Sequence, residues 1–374
     1  MVNAVFLGTG FGGGGAERHF SRLVPGLLPG AMRRTVLSLA PFEKDDAIRG
    51  IECRHLGFRS WRDYPAAIGR LVRIFDEEAV DLVYSISRCP NAVGTAAAAM
   101  ARRRPVVVLG ENTRPLEAFV FSPRAIDLAW LAVQANCFRR ADMVICNSSS
   151  ACSEVVDHFG AVPDRVRLAR NPLPARARQE PCVGPASTSR RCDVLTAARL
   201  VEGKGLEDLI EAWARMRRPE GRLVILGDGP LRGPLQVLSG RLGVAGTTSF
   251  PGWVDDPGPW IDQATVVVLA SYWEGLPNLV LEAMEAGAAV VATRSTSWIV
   301  EFEKAGGVAG VAVGDVRGLA EAISGLLGSA ERRRRLQVAG KKLAAGFRVE
   351  EVAAERSRLL EEAWSQSGNR GGRS

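Results

Sequence analysis

Short apolar runs alternate with amphipathic helical patterns along almost the whole chain, and this alternation restricts the fold more than any other feature. Strand-length runs at Val2–Leu7, Thr35–Leu39, Leu82–Ser85, Val106–Leu109, Met143–Asn147 and Val166–Leu168 are interleaved with helical patterns at 16–28, 65–78, 91–101, 122–140 and 150–159. Runs apolar at every position suit strands buried on both faces, and intervening helices supply the crossovers that parallel pairing needs. From Leu173 to Arg190 the periodicity stops and Pro, Ser, Ala and Arg dominate, which marks a linker. The pattern then restarts with strands Val194–Ala197, Leu223–Leu226, Val266–Leu269 and Ala289–Thr293. Helices are expected at 206–216, 230–242, 278–286, 319–327, 330–345 and 349–366. A chain of 374 residues suits two domains of about 170–180 residues. The expectation is therefore α/β: two doubly wound, Rossmann-like domains, 1–172 and 191–348, joined by 173–190.

Several classes are disfavoured. The seven cysteines are odd in number and contain no C-x-x-C pair, which argues against a disulfide framework or zinc site and for a reducing cytoplasm. The start has no basic flank of the secretory kind, and no apolar run approaches the roughly 20 residues of a membrane span. The net charge of +7 is uneven: residues 1–180 carry 24 basic against 18 acidic side chains, the remainder 24 against 23. A basic first half fits an anionic membrane surface or a lipid-phosphate acceptor. General arginine usage explains the same excess, since 43 of the 48 basic residues are Arg. Nucleic acid is not expected as a partner, because the basic residues lack interleaved aromatic platforms.

Two regions carry candidate chemistry. Gly8-Thr9-Gly10-Phe11-Gly12-Gly13 follows the first strand and matches G-x-G-x-x-G, but glycines continue through Gly14 and Gly15. The second strand ends without the carboxylate that a dinucleotide ribose requires. A loop whose backbone approaches an anion closely fits as well as a plain glycine turn. In the second half, Glu274-Gly275-Leu276-Pro277-Asn278-Leu279 leads from a strand into a helix that carries Glu282 about 6 Å further in. Between the two acids lie the N–H groups of a helix start, which attract anions. Arg199 and Lys204, five residues apart across a glycine-rich turn, suit a diphosphate, one as a fork and one as a point charge. Gly227-Asp228-Gly229-Pro230 and Phe250-Pro251-Gly252-Trp253-Val254 are further connections at the same edge of the same expected sheet.

Taken together, these residues resemble glycosyltransferase family 4, the retaining transferases of GT-B fold. The family's E-x7-E motif corresponds to Glu274 and Glu282, and its R-L-x-x-x-K-G motif to Arg199, Leu200, Lys204 and Gly205. Its N-terminal signature corresponds to Gly14-Gly15-Ala16-Glu17-Arg18, while Asn147-Ser148-Ser149 and Asn171-Pro172 sit where the family closes its first domain. The resemblance implies two domains facing across a cleft, with helix 349–366 returning to the first. It implies a nucleoside-diphosphate sugar, with uridine the commonest base, and a hydroxyl acceptor. By the same resemblance Arg199 and Lys204 neutralise the diphosphate, Glu282 holds the ribose, Glu274 with the backbone of Gly275–Asn278 contacts the donor sugar, and Leu279 belongs to the donor-binding stretch. Trp253 and Val254, near Gly227, flank the base through main-chain groups, and Gly13, Gly14 and Gly15 line the acceptor side.

No D-x-D metal motif is present, so neither metal nor other cofactor is expected; fixed cations and a helix dipole can stabilise a departing diphosphate unaided. Two positions depart from the family pattern. None of His19, His55 and His158 follows the strand after which many members carry a donor-contacting histidine; Glu111 and Asn112 are candidates to take over, the alternative being that both are solvated loop residues. The segment 295–302 lacks the usual glycine-rich turn and retains only Glu301. A dinucleotide-dependent oxidoreductase and a non-catalytic GT-B binding protein remain as alternatives.

Overall fold

The computed structural model describes residues 2–10, 20–31, 33–41, 48, 50–112, 116, 125–173, 192–216 and 221–368. The chain divides into two compact units, Met1–Pro174 with Arg348–Ser374, and Ala175–Phe347. The expected linker lies almost wholly outside the described residues, as do Gly13, Gly14, Gly15 and His19.

Unit 1 holds a seven-stranded sheet: β1 (Asn3–Gly8), β2 (Arg33–Ser38), β3 (Glu52–His55), β4 (Leu82–Ile86), β5 (Val106–Glu111), β6 (Met143–Cys146) and β7 (Val166–Leu168). All pairs are parallel and the spatial order is 3-2-1-4-5-6-7. Alternate side chains of a strand face opposite ways, and both faces are covered. Val5, Leu7, Val83, Val107 and Leu109 pack under four helices: α1 (Tyr64–Glu77), α2 (Arg88–Met100), α3 (Ala125–Arg140) and α4 (Ser149–Asp157). Ala4, Phe6, Leu82, Tyr84 and Val108 face the opposite way, against Leu23–Leu28 and the helix Val349–Gly368. That last helix is the C-terminal segment, so unit 1 is completed by the end of the chain. Ser357 Oγ accepts from the Leu28 N–H at 2.9 Å, and Arg167 pairs with Glu362 at 2.6 Å.

Unit 2 holds β8 (Cys192–Ala197), β9 (Leu223–Leu226), β10 (Thr248–Gly252), β11 (Ala264–Leu269), β12 (Ala289–Thr293) and β13 (Ala309–Val311). The order is 10-9-8-11-12-13, again all parallel. Its helices are α5 (Leu206–Arg215), α6 (Arg232–Arg241), α7 (Gly258–Gln263), α8 (Asn278–Ala286), α9 (Ser297–Lys304), α10 (Val316–Gly328) and α11 (Ala330–Ala344); the C-terminal helix is α12. Each unit is a doubly wound, parallel α/β sheet, the fold class expected from sequence. Strands β3, β10 and β13 and helices α7 and α9 were not anticipated. The three strands are sheet edges of three to five residues, half exposed, so none shows a continuous apolar run.

Candidate active site

In unit 2 the strand order reverses between β8 and β11, and open α/β sheets bind ligands outside the carboxyl ends of strands at such a reversal. The segment after β8 carries Arg199–Gly205 and the segment after β11 carries Ser271–Gly275. Lys204 Nζ lies 2.6 Å from Glu274 Oε1, joining two residues 70 positions apart. The Ser271 hydroxyl donates to the same oxygen at 2.8 Å. The Lys204 and Glu274 side chains keep 24% and 18% of their exposure, so a ligand can reach both.

The close approach of the two loops is built into their backbones. The Tyr272 N–H donates to the Gly203 carbonyl at 2.8 Å. Gly205 has φ +61°, and a Cβ there would fall 2.0 Å from the Ala270 carbonyl oxygen, so only glycine fits. Between the same two segments, the Tyr272 hydroxyl after β11 donates to Asp208 of α5 at 2.8 Å. That bond, together with burial, pushes the phenol up to about 12. The neighbouring connections are stitched edge to edge: the Leu200 N–H donates to Asp228 O at 2.9 Å, and the Gly227 N–H to Gly252 O at 2.8 Å. Gly227, at φ +120°, would place a Cβ 1.9 Å from Ala198 O.

Helix α8 starts immediately after Glu274-Gly275-Leu276-Pro277. The Val280 and Leu281 N–H groups donate to Pro277 O, no side chain caps the helix, and its first turn contains no acid. The N–H groups of Asn278 and Leu279 have no intrahelical acceptor and mark a positive pole. Glu282 is one turn further on and half buried. The Glu274 N–H donates to Ser295 O at 3.2 Å, and the Thr296 hydroxyl to Gly275 O at 2.8 Å. The segment 295–302, where sequence showed a departure, therefore supports the Glu274 loop. Sequence reading missed Ser271, Thr293 and Thr296; the available signal was a set of small hydroxyl residues at the end of, or just after, two adjacent buried strands.

Arg199 is exposed and forms no ion pair with a described residue. Trp253, after β10, is half exposed, and its indole N–H donates to Asp255 at 3.2 Å; Val254 is half buried. In unit 1, Glu111 is the last residue of β5 and is buried, so it is not a solvated loop residue. Asn112 is fixed by two side-chain amides: Asn147 donates to its carbonyl at 3.1 Å and Asn171 to its side-chain oxygen at 3.3 Å. These asparagines tie together the connections after β5, β6 and β7.

Comparison with known proteins gives this architecture its family. The model described as Glycosyltransferase Family 4 matches residues 13–175, and that described as Glycosyl transferases group 1 matches 191–329. The lipopolysaccharide core biosynthesis glycosyltransferase LpsE of Rhizobium meliloti (strain 1021) is 31% identical over 259 residues, covering 66% of this chain and 73% of that protein. A Campylobacter jejuni N-acetylgalactosaminyltransferase acting on a diphospho-undecaprenol-linked sugar is 26% identical over 156 residues, 42% of each chain. Among solved structures, HepE from Anabaena in complex with UDP and glucose superposes with a TM-score of 0.80 at 20% identity, covering 96% of this chain and all of that one. The glycosyltransferase WaaG, involved in lipopolysaccharide biosynthesis, superposes with a TM-score of 0.74 at 15% identity, covering 96% and 99%. Neither alternative, oxidoreductase or non-catalytic binding protein, is favoured by these likenesses. With both halves matched by the family's models and a relative at this identity spanning most of its length, the chain belongs to the group 1, family 4 glycosyltransferases and is an enzyme that transfers a sugar from a nucleotide-sugar donor.

Proposed function

We propose that the enzyme is a retaining transferase that takes its sugar from a uridine-diphosphate donor and needs no metal. The observation that carries this reading is the Lys204–Glu274 pair at the strand-order reversal, beside the uncapped start of α8. Lys204, Arg199 and the N–H groups of Asn278 and Leu279 receive the diphosphate; Glu274 and the backbone of Gly275–Asn278 hold the sugar, and Glu282 the ribose. Trp253, Val254 and Gly227 border the base. The bond from C1 to the leaving phosphate oxygen breaks as the acceptor oxygen bonds C1 on the same face, and the acceptor proton passes to that phosphate oxygen. Fixed cations and backbone dipoles stabilise the charge as it develops. Uridine is favoured because the fold relative HepE was solved with UDP and with UDP-glucose. The acceptor is a hydroxyl of a glycan or lipid-linked sugar, the class named for LpsE and the Campylobacter enzyme.

Thermal unfolding with UDP, GDP, ADP and NAD in parallel tests the donor class. At 100 times its Kd a ligand adds about 2.7 kcal/mol, so UDP is expected to raise the midpoint while NAD leaves it unchanged. Stabilisation by GDP or ADP alone removes the uridine assignment, and stabilisation by NAD alone removes the transferase site.

We further propose that unit 1 meets an anionic membrane peripherally. Among the described residues no helix is long and apolar enough to cross a membrane. Met100, closing α2, is 66% exposed, and Leu128 on α3 is 58% exposed. Exposed Arg102, Arg103, Arg104, Arg139 and Arg140 lie at the carboxyl ends of these two packed helices, where Arg104 donates to the Arg140 carbonyl at 3.0 Å. Each basic residue near an anionic surface contributes about 1 kcal/mol. Co-sedimentation with phosphatidylglycerol vesicles is therefore expected to weaken by more than about 30-fold in the Arg139→Glu, Arg140→Glu double variant. Equal binding to phosphatidylcholine, or no effect of the reversal, overturns it.

A further inference from the structure

We propose that Ser271 is a positioning residue for Glu274, acting within a clamp of three hydroxyls that ties the Glu274 loop to the segment after β12. The inference rests on the reading that Glu274 contacts the donor sugar. Ser271 is buried, and its hydroxyl donates to Glu274 Oε1 at 2.8 Å. Its own carbonyl accepts from the buried Thr293 hydroxyl at 2.5 Å. On the far side of Glu274, Thr296 donates to Gly275 O at 2.8 Å, while the Glu274 N–H reaches Ser295 O at 3.2 Å. The loop is thus fixed before, at and after the carboxylate by residues that take no part in the E-x7-E or R-L-x-x-x-K-G motifs.

The division of labour follows from charge. Lys204 and Ser271 both bond Glu274 Oε1, so among the described residues Oε2 has no partner and is left for a ligand. Lys204 is itself asked to meet the diphosphate, so its hold on Glu274 loosens when donor binds. The Ser271 hydroxyl faces no such competition. Its bond keeps the carboxylate oriented in the donor complex, whereas Lys204 alone would let it follow the ammonium towards phosphate. A loss of that orientation leaves nucleotide binding intact and penalises only the step that depends on the sugar's placement.

The test uses the full chain, a panel of UDP-glucose, UDP-galactose, UDP-N-acetylglucosamine, GDP-glucose and ADP-glucose, and release of nucleoside diphosphate with water as acceptor. The donor the wild-type protein consumes is carried forward. Ser271→Ala is expected to lower turnover of that donor by about 10–100-fold, the scale for a misplaced catalytic contact. Affinity for the matching nucleoside diphosphate is expected to stay within about twofold. Thr293→Val, which keeps shape and removes the hydroxyl, should show the same split to a smaller degree and guards against an artefact of the cavity at position 271. Glu274→Gln runs alongside. If Glu274→Gln loses turnover and Ser271→Ala keeps it, the positioning role is wrong and the donor reading stands. If Glu274→Gln keeps turnover, the donor reading fails and this inference with it. A parallel fall of turnover and nucleotide affinity in Ser271→Ala means a structural role and overturns the proposal.

Discussion

Lys204→Ala is expected to reduce turnover by about 10²–10³-fold, the cost of removing one preorganised charge at a developing anion. Under the proposed roles the ammonium answers the diphosphate in both ground and transition states, so nucleotide affinity should fall as well, unlike in Ser271→Ala. The stability of the fold should hardly change. Both partners of the Lys204–Glu274 pair remain partly exposed, and ion pairs open to water contribute about 0–1 kcal/mol. After the substitution Glu274 still accepts from Ser271 and still reaches solvent. Lys204→Arg should rescue little, since a planar fork cannot occupy the site of a compact ammonium packed against the Glu274 loop. The measurements are donor consumption, nucleoside diphosphate titration and the thermal midpoint. Full turnover in Lys204→Ala with unchanged nucleotide affinity sinks the assignment of Lys204 to the diphosphate.

Arg356→Met should strongly destabilise unit 1, with no direct part in chemistry. Arg356 projects from α12 and is 2% exposed. Its guanidinium donates to the Tyr84 hydroxyl on β4, to Arg170 O at 2.7 Å and to Ala169 O at 3.4 Å. Burial pushes the Tyr84 phenol up, so it stays neutral and accepts from the arginine. Methionine fills most of the space but leaves the phenol and two carbonyls without their donor. Each buried acceptor left unsatisfied costs about 1–3 kcal/mol, and the removed desolvation of the cation offsets part of that. A net loss of about 2–4 kcal/mol is expected, together with earlier proteolytic release of α12. A loss below about 1 kcal/mol would falsify the view that this arginine fastens the C-terminal helix to unit 1.

The parts of the fold visible in sequence are those where one physical effect dominates. Val83, Val108, Val144 and Val267 sit in strands buried on both faces, so their runs are apolar throughout and could be read directly. Strand β10 could not. It alternates exposed and half-buried residues at a sheet edge, and its segment Thr248–Gly252 reads equally well as a loop. Helix α9 was hidden because Thr296 starts it without a side-chain cap and its apolar face is short.

For the site, sequence alone determined the residue types and their local setting: Lys204 after one strand, Glu274 after another, and Glu282 a turn inside the helix that follows. Local spacing sets these relations, because strand-turn-helix geometry depends on neighbours a few residues apart. Only the tertiary structure decided that Lys204 and Glu274 meet 2.6 Å apart, that Ser271 shares their contact, and that Thr293 and Thr296 hold the loop from the next strand. Those contacts depend on the order 10-9-8-11-12-13, which brings β8, β11 and β12 side by side across gaps of 20 to 70 residues. Strand order is settled by packing and crossover handedness across the whole sheet, and no local pattern records it.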